Sequence, residues 1–450
     1  MIGTKSLKDI RISPAQIIII GFILLILAGS LLLMLPFATR DGNGSSFIDA
    51  LFTATSATCV TGLVIHDTYT YWSEFGQVII LLLIQIGGMG VVTTAVAIFL
   101  FTGKHIGLRQ RFVLQEALAA PHMGGIIRLI GFILKTAFII EGIGAVLLSL
   151  RFCPQLGLIR GIWNGIFHSV SAFCNAGFDL FGWIAPFSSL TSYAADPLIN
   201  LTIMALIIIG GIGFLTWHDI SEHRWHFHYY TLQSKIIFTT TFLLIVLPCI
   251  FFFFYEFSGA QWADLSTGER VLASLFQAVT PRTAGFNTAD LSRMSSVSIL
   301  IIIVLMLIGG SPSSTAGGMK TTTIATLFVC LASVFKKRQT LQVFGRRIPQ
   351  HILRNVVVIF TLYILLFLSF GTAIACIDGI PLQSALFEAA SAIGTVGLSL
   401  GVTPYLSTVS HILLIILMYF GRIGGLTLIF AFINHLPAPS QMPQENITVG

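Results

Sequence analysis

Four short stretches hold the residues best placed to do chemistry. They are Thr58-Cys59-Val60-Thr61-Gly62, Phe173-Cys174-Asn175-Ala176-Gly177, Arg282-Thr283-Ala284-Gly285 and Gly394-Thr395-Val396-Gly397. All end in glycine, and Arg282 is their one charged member. Such stretches offer coordination rather than bond-making. Main-chain carbonyls turned toward one axis replace the hydration shell of a cation. Glycine suits the last position because it accepts positive φ and adds no Cβ to narrow a hole. The fourth stretch carries the full Thr-Val-Gly, whereas the others read Val-Thr-Gly, Asn-Ala-Gly and Thr-Ala-Gly. A hole built from them is pseudo-fourfold, with fewer well-formed sites than four identical loops give. Weaker potassium/sodium discrimination is expected.

The elements that position these stretches repeat with them. Each follows a half-apolar segment too short to cross a bilayer: 47–57, 162–172, 270–279 and 382–392. The steps Phe52 to Gly62, Phe167 to Gly177, Phe276 to Gly285 and Phe387 to Gly397 are ten, ten, nine and ten residues. A second glycine register follows in each unit: Gly87-Gly88-Met89-Gly90, Gly210-Gly211-Ile212-Gly213, Gly309-Gly310 and Gly421-Arg422-Ile423-Gly424-Gly425. Two registers repeating together point to an internal fourfold repeat. Duplicated hairpins packed through small residues explain the second register. They do not explain a polar loop at membrane depth, which persists only where it faces protein or water.

Of the 450 residues, 55% are hydrophobic and 9% charged. Soluble domains carry about 25% charged residues, so the chain is a polytopic membrane protein. Apolar runs fall at 15–37, 75–101, 127–150, 197–219, 234–256, 296–334, 351–376 and 408–433. The first is too long for a signal-peptide core, and no small-residue cleavage site follows it. With both termini inside, sixteen of the 24 Lys/Arg lie on cytoplasmic segments and six outside, as the positive-inside rule requires. The net charge of +6 is thus a topology signal and not a nucleic-acid footprint. Twelve of the eighteen acids fall on the outer side, where they attract cations.

The expected fold is all-α: four parallel repeats of outer helix, pore half-helix, filter loop and inner helix around one pseudo-fourfold pore. The repeats span 15–101, 127–219, 234–334 and 351–433, between a cytoplasmic N-terminus (1–14) and a cytoplasmic tail (434–450). The stretch 436–450, with prolines at 437, 439 and 443, is polar and is expected to be flexible and to contact a partner. The third inner helix is interrupted by Gly309-Gly310-Ser311-Pro312-Ser313-Ser314-Thr315-Ala316-Gly317-Gly318, followed by Met319 and Lys320. Proline and glycine there weaken the helix. The segment is expected to cross the pore below the filter as a gate; the plainer alternative is a kink filled by neighbouring helices.

With these motifs in hand, the chain resembles the Trk/Ktr/HKT superfamily of potassium transport proteins, and within it the bacterial Ktr-type membrane subunit of the KtrB/KtrD kind. The resemblance runs from about residue 13 to 433. It rests on TPRTAGFN (280–287), IQIGGMG (84–90), GGSPSSTAGGMK (309–320) and FGRIGG (420–425). It implies one filter glycine per repeat, at Gly62, Gly177, Gly285 and Gly397. It implies K+ as the transported ion, admits Na+ as an activator, and calls for no organic cofactor. It implies a homodimer in the bacterial plasma membrane, docked on a cytosolic ring of nucleotide-binding (RCK/KTN-type) regulatory subunits of the KtrA/KtrC kind.

Lys320 and Arg422 lie within spans, where a lone cation costs about 2.5–3.5 kcal/mol. Each must reach water, a carboxylate or backbone carbonyls. Arg422 is expected to face the cavity under the filter, holding the gate's carbonyls or repelling cations, or else to be an anchor. Arg282 needs neutralising beside a cation site, and Glu388 is the candidate partner. Glu141 is either paired within the chain or packed on another protomer. His218, His223, His226 and His228, with Trp217, Trp225, Tyr229 and Tyr230, read as an interfacial belt rather than a metal site. The six cysteines show no paired spacing and read as small apolar fillers. The competing function is ion-coupled solute transport by alternating access, against which the parallel repeats and the narrow backbone-lined loops argue. Enzyme chemistry is disfavoured because neither a nucleophile–base pair nor a zinc motif is present, and no phosphate loop points to ATP.

Overall fold

The computed structural model describes residues 13–91, 93–94, 107–118, 124–224, 226–425 and 427. The expected terminal segments 1–14 and 434–450 lie outside these residues apart from Ser13 and Pro14. In chain order the helices are α1 (Pro14–Leu33), α2 (Phe47–Thr58), α3 (Thr68–Tyr71), α4 (Glu74–Met89), α5 (Leu108–Ala117), α6 (Ile126–Leu156) and α7 (Leu158–Phe173). There follow α8 (Pro197–Gly211), α9 (Phe214–His223), α10 (Leu232–Phe251), α11 (Thr267–Val279), α12 (Ser296–Leu307) and α13 (Thr321–Phe335), then α14 (Gln350–Asp378), α15 (Leu382–Gly394) and α16 (Thr408–Ile423).

Local chemistry sets where these helices begin. Ser13 opens α1 with a reciprocal capping box to Gln16, and Pro14 occupies the first turn. The helices α4, α8, α12 and α16 start at Ser73, Asp196, Ser295 and Ser407, whose side chains accept first-turn N–H groups. Among the described residues four stretches are long and apolar enough to cross a bilayer: α1, α6, α14, and α10 with its π-helical continuation to Glu256. Only 22–33% of their apolar windows is buried in protein. The exposed remainder, including Leu24, Val146, Leu150, Leu247 and Leu365, demands an apolar solvent.

The second helix of each hairpin is shorter than the apolar runs suggest. α4, α8, α12 and α16 have 16, 15, 12 and 16 residues. At 1.5 Å per residue even 16 reach about 24 Å, short of a 30 Å hydrocarbon core. The expected continuous run 197–219 is two helices bent by 93°. Glycines with positive φ cause the breaks: Gly90 at +87°, Gly213 at +99° and Gly424 at +87°. The second glycine register therefore turns the chain as well as packing it. Residues 95–101 and 428–433 of the expected spans lie outside the described residues. A further departure is a small antiparallel hairpin, Leu341–Val343 with Arg346–Ile348. Phe344 and Gly345 both have positive φ there, as a two-residue type I′ turn requires.

Outer and half-helices pack closely through glycine. A Cβ on Gly161 would lie 2.5 Å from the Cys153 Cα, and one on Gly144 would lie 2.5 Å from the Ser169 Oγ. The register phenylalanines Phe52, Phe167, Phe276 and Phe387 are all 0% exposed, one per half-helix. Gly161→Leu is expected to cost about 1–3 kcal/mol through overpacking, read as a lower midpoint in thermal unfolding of detergent-purified protein. Gly131→Leu, on an open face of α6 with nothing within 4 Å, should leave that midpoint nearly unchanged.

Candidate functional site: a glycine ring above an intramembrane segment

The four loops after α2, α7, α11 and α15 share one backbone signature. Two residues before each loop glycine stands a non-glycine residue with positive φ: Val60 (58°), Asn175 (59°), Thr283 (64°) and Thr395 (51°). The glycines follow at 92°, 70°, 80° and 94° for Gly62, Gly177, Gly285 and Gly397. Positive φ is uncommon for residues bearing a side chain, so its recurrence at matching places marks one imposed conformation.

A hydroxyl beneath each loop fixes it. Ser56 and Ser391 Oγ accept the N–H of Gly62 and Gly397 at 3.1 and 3.0 Å. Ser171 and Thr280 donate instead to the carbonyls of Phe178 and Phe286, at 2.7 and 2.5 Å. Sequence reasoning missed these four residues. The signal was present, since each precedes its glycine by six residues, or by five in the shorter third loop.

The glycines close a ring. A Cβ on Gly62 would run into the Ala176 carbonyl and lie 3.1 Å from the Gly177 Cα. One on Gly177 would meet the Ala284 carbonyl at 2.7 Å and the Gly285 Cα at 2.9 Å. One on Gly285 would strike the Val396 carbonyl and lie 3.3 Å from the Gly397 Cα, and Gly397 returns to Thr61 and Gly62. All four glycines line one cavity of about 200 Å³, together with Asp67 and Asp179. Below, the hydroxyls of Thr58, Thr61 and Thr395 are buried without a protein partner. Cys59, Phe173, Cys174, Ala176, Ala284 and Val396 are buried in the same layer.

Residues 309–320 lie directly underneath. Ser311 and Thr315 donate their N–H groups to the Gly211 and Gly210 carbonyls at 3.0 and 3.3 Å. Thr315 Oγ1 also donates to the Phe173 carbonyl at 3.0 Å. Gly318 N–H reaches the Gly421 carbonyl at 3.0 Å, and Gly309 N–H the Met319 carbonyl at 2.8 Å. A Cβ on Gly317 would collide with the Thr395 side chain, and one on Gly310 with Ala316. Phe214 N–H donates to Ser313 O, and the Ser313 hydroxyl donates to the Leu118 carbonyl just past α5. A cavity of about 340 Å³ opens beneath, lined by Pro312, Ser313, Ser314, Lys320, Arg422 and Glu116 among others. The linker helix α5 is thus part of the site, a contact no sequence feature announced.

The two intramembrane cations both find carbonyls. Arg422 Nη1 donates to Thr315 O, and Nη2 to Gly87 O and Gly88 O at 2.5 and 3.0 Å. Lys320 Nζ donates to Ala316 O at 2.8 Å and Gly317 O at 3.4 Å. The Arg282–Glu388 pairing is corrected. Arg282 Nη2 donates to Thr241 Oγ1 at 3.2 Å. Glu388 accepts from Ser399 Oγ, Leu400 N–H and Thr403 Oγ1 at 2.7, 3.1 and 2.6 Å. Neutral hydroxyls near the Glu388 carboxylate satisfied it before any cation was needed. Glu141 is paired within the chain, accepting from Gln85 Nε2 at 3.1 Å. His223 meets Asp219 at 2.9 Å and His218 meets Glu222 at 3.5 Å. No metal-ligand grouping occurs among the described residues, and Trp225 of that belt lies outside them. All six cysteines are free.

Known proteins are similar to this chain over almost its whole length. Residues 5–443 match the family described as TrkH, cation transport protein. The potassium/sodium uptake protein NtpJ of Enterococcus hirae is 41% identical, over 98% of each chain. The Ktr system potassium uptake protein B of Bacillus subtilis is 40% identical over 99% of each chain. Its Vibrio alginolyticus namesake is 35% identical over 97% of this chain and 94% of that one. In three dimensions the chain is similar to the crystal structure of the potassium transporter TrkH from Vibrio parahaemolyticus. The TM-score is 0.74 at 22% identity, over 96% of this chain and 87% of that one.

Ser391→Ala removes the acceptor of the Gly397 N–H and is expected to cost about 1–3 kcal/mol, the penalty for a buried unpaired donor. A lowered thermal midpoint in detergent reads it. Thr372→Ala, whose exposed hydroxyl bonds only within α14, is the neutral control.

Proposed function

The chain belongs to the TrkH family of cation transport proteins, and on that premise we propose that it is the potassium-conducting membrane subunit of an uptake system. The observation that carries this reading is the ring of Gly62, Gly177, Gly285 and Gly397 at the floor of one outer cavity. In this reading the four hairpins, spanning 15–101, 127–219, 234–334 and 351–433, are parallel repeats about one pore. The carbonyls of Thr58–Gly62, Phe173–Gly177, Arg282–Gly285 and Gly394–Gly397 take the place of water around a dehydrated K+. The half-helices end at these loops, so the partial negative charge of their C-termini falls where the cation sits. The unpartnered hydroxyls of Thr58, Thr61 and Thr395 supply further oxygen at the inner end.

The segment 309–320 is the gate. It separates the loops from the inner cavity and is held shut by bonds that can be broken singly. Arg422 is its clip, tying Thr315 of the gate to Gly87 and Gly88 of the first repeat. Hydrogen bonds from a charged donor are worth about 1.5–3 kcal/mol each, enough to set a closed state without making it permanent. The small residues Gly310, Ser311, Ser314, Ala316, Gly317 and Gly318 let the segment withdraw. Both termini face the cytoplasm, as the Lys/Arg distribution directs. Two copies pair in the bacterial plasma membrane on a cytosolic nucleotide-binding ring, and Na+ acts as an activator.

Purified protein in potassium-loaded proteoliposomes should take up radiolabelled rubidium, with K+ competing better than Na+. Absence of rubidium entry from a folded, reconstituted chain would refute the reading. Running the assay with and without Na+ tests activation. Arg422→Gln, or deletion of 311–317, should raise flux by roughly tenfold, the worth of one charged hydrogen bond. Unchanged or lower flux in folded variants would remove the gate.

A further inference from the structure

The position two residues beyond each loop glycine also recurs. It holds Val64, Asp179, Asn287 and Ser399, and all four line the outer cavity above the glycine ring. One of the four is a carboxylate. Resting on the reading of the glycine ring as a cation path, we infer that Asp179 recruits the cation from the outer solution, so that apparent affinity depends on its charge.

The hydrogen bonds separate Asp179 from the other acids nearby. Asp67 is spent: Oδ1 accepts from Tyr69 N–H, Thr70 N–H and Thr70 Oγ1, and Oδ2 accepts from Phe187 N–H at 3.0 Å. Glu388 is likewise spent on Ser399, Leu400 and Thr403. Asp179 uses only Oδ1, which accepts the Phe181 N–H at 3.0 Å. Its Oδ2 has no protein partner among the described residues, and the side chain is half-buried on the cavity wall.

That single bond does not require a charge. Asn287, at the matching place in the third loop, makes the same turn with its Oδ1 accepting from Ala289 N–H at 3.2 Å. An amide therefore serves the geometry. The carboxylate adds a negative charge at the entrance of the ring, in a cavity whose walls focus its field.

The groups facing Asp179 leave it the titrating member. Asp67, across the cavity, is engaged at both carboxyl oxygens by Tyr69, Thr70 and Phe187. His168 lies below with Nδ1 on the Asn164 carbonyl at 2.8 Å and Nε2 accepting the Leu180 N–H at 3.1 Å, a neutral tautomer engaged at both nitrogens. Tyr405 stands on the fourth lip, and Arg293 turns away onto Trp262. Burial, with the charge of Asp67 adding to it, pushes the Asp179 carboxyl up to about 7. A raised value means that the group is neutral below about pH 7 and ionised above it. Recruitment is thus present on the alkaline side and lost on acidification.

The test is rubidium uptake into proteoliposomes at outer pH 6, 7 and 8, at low ionic strength, with KM and maximal rate measured separately. In the wild-type protein KM should rise roughly threefold to tenfold from pH 8 to pH 6, the scale set by one nearby unit charge. Asp179→Asn should show the high KM at every pH with a maximal rate close to wild type, and Asp179→Glu should restore the pH dependence. A pH-independent wild-type KM, or Asp179→Asn with the wild-type KM and profile, overturns the inference while leaving the transport reading intact. If Asp179→Asn carries no flux, Asp179→Glu decides: restored, pH-dependent uptake supports the inference and its absence overturns it. Absence of uptake by the wild-type chain instead refutes the transport reading itself.

Discussion

Backbone that leaves the helix inside a bilayer must have its carbonyls and N–H groups answered by protein or by water. That constraint organises this molecule. The inner helices α4, α8 and α16 break at glycine, which orphans carbonyls near each break. Arg422 takes those of Gly87 and Gly88. The N–H groups of Thr315 and Ser311 take those of Gly210 and Gly211, and Gly318 takes that of Gly421. The non-helical segment 309–320 therefore answers the breaks of the second and fourth hairpins, and Arg422 answers that of the first.

The buried ionisable side chains obey a related rule. Arg422 and Lys320 are held by carbonyls. Glu141, Glu256 and Glu388 are held by amides, hydroxyls and an indole. Direct pairing of opposite charges is confined among the described residues to four contacts, three of them involving histidine and none involving Arg282, Lys320 or Arg422. Dipole partners answer each of these groups without a counter-charge. Such partners spread the restraint over several moderate bonds.

Glycine serves two purposes here. At Gly62, Gly177, Gly285 and Gly397 positive φ and close approach coincide, and a methyl group would strike the next loop's carbonyl. At Gly90, Gly213 and Gly424 positive φ ends a helix. The neighbours Gly87, Gly210 and Gly421 keep the helix but lie against the terminal carbonyls of Thr58, Phe173 and Ile393. One cluster in three of the four inner helices thus seats a half-helix and then turns the chain.

Much of this was written in one dimension. Spacing alone marked the four loops, their buried phenylalanines and the interrupted stretch at 309–320, because internal repetition leaves the same residues at the same intervals. Composition alone declared a membrane protein, because a chain with so few charges cannot cover a water-facing surface. Direction was not written there. An apolar run such as 197–219 has the same hydropathy straight or bent, and only the contact between Gly213 and Pro312 shows why it turns. Partner choice was not written either: Arg282 and Glu388 have matching charges, yet Thr241 on one side and Ser399 and Thr403 on the other lie closer once the helices pack. Tertiary structure decided those points because hydrogen bonding depends on distances of a few tenths of an ångström between segments far apart in the chain.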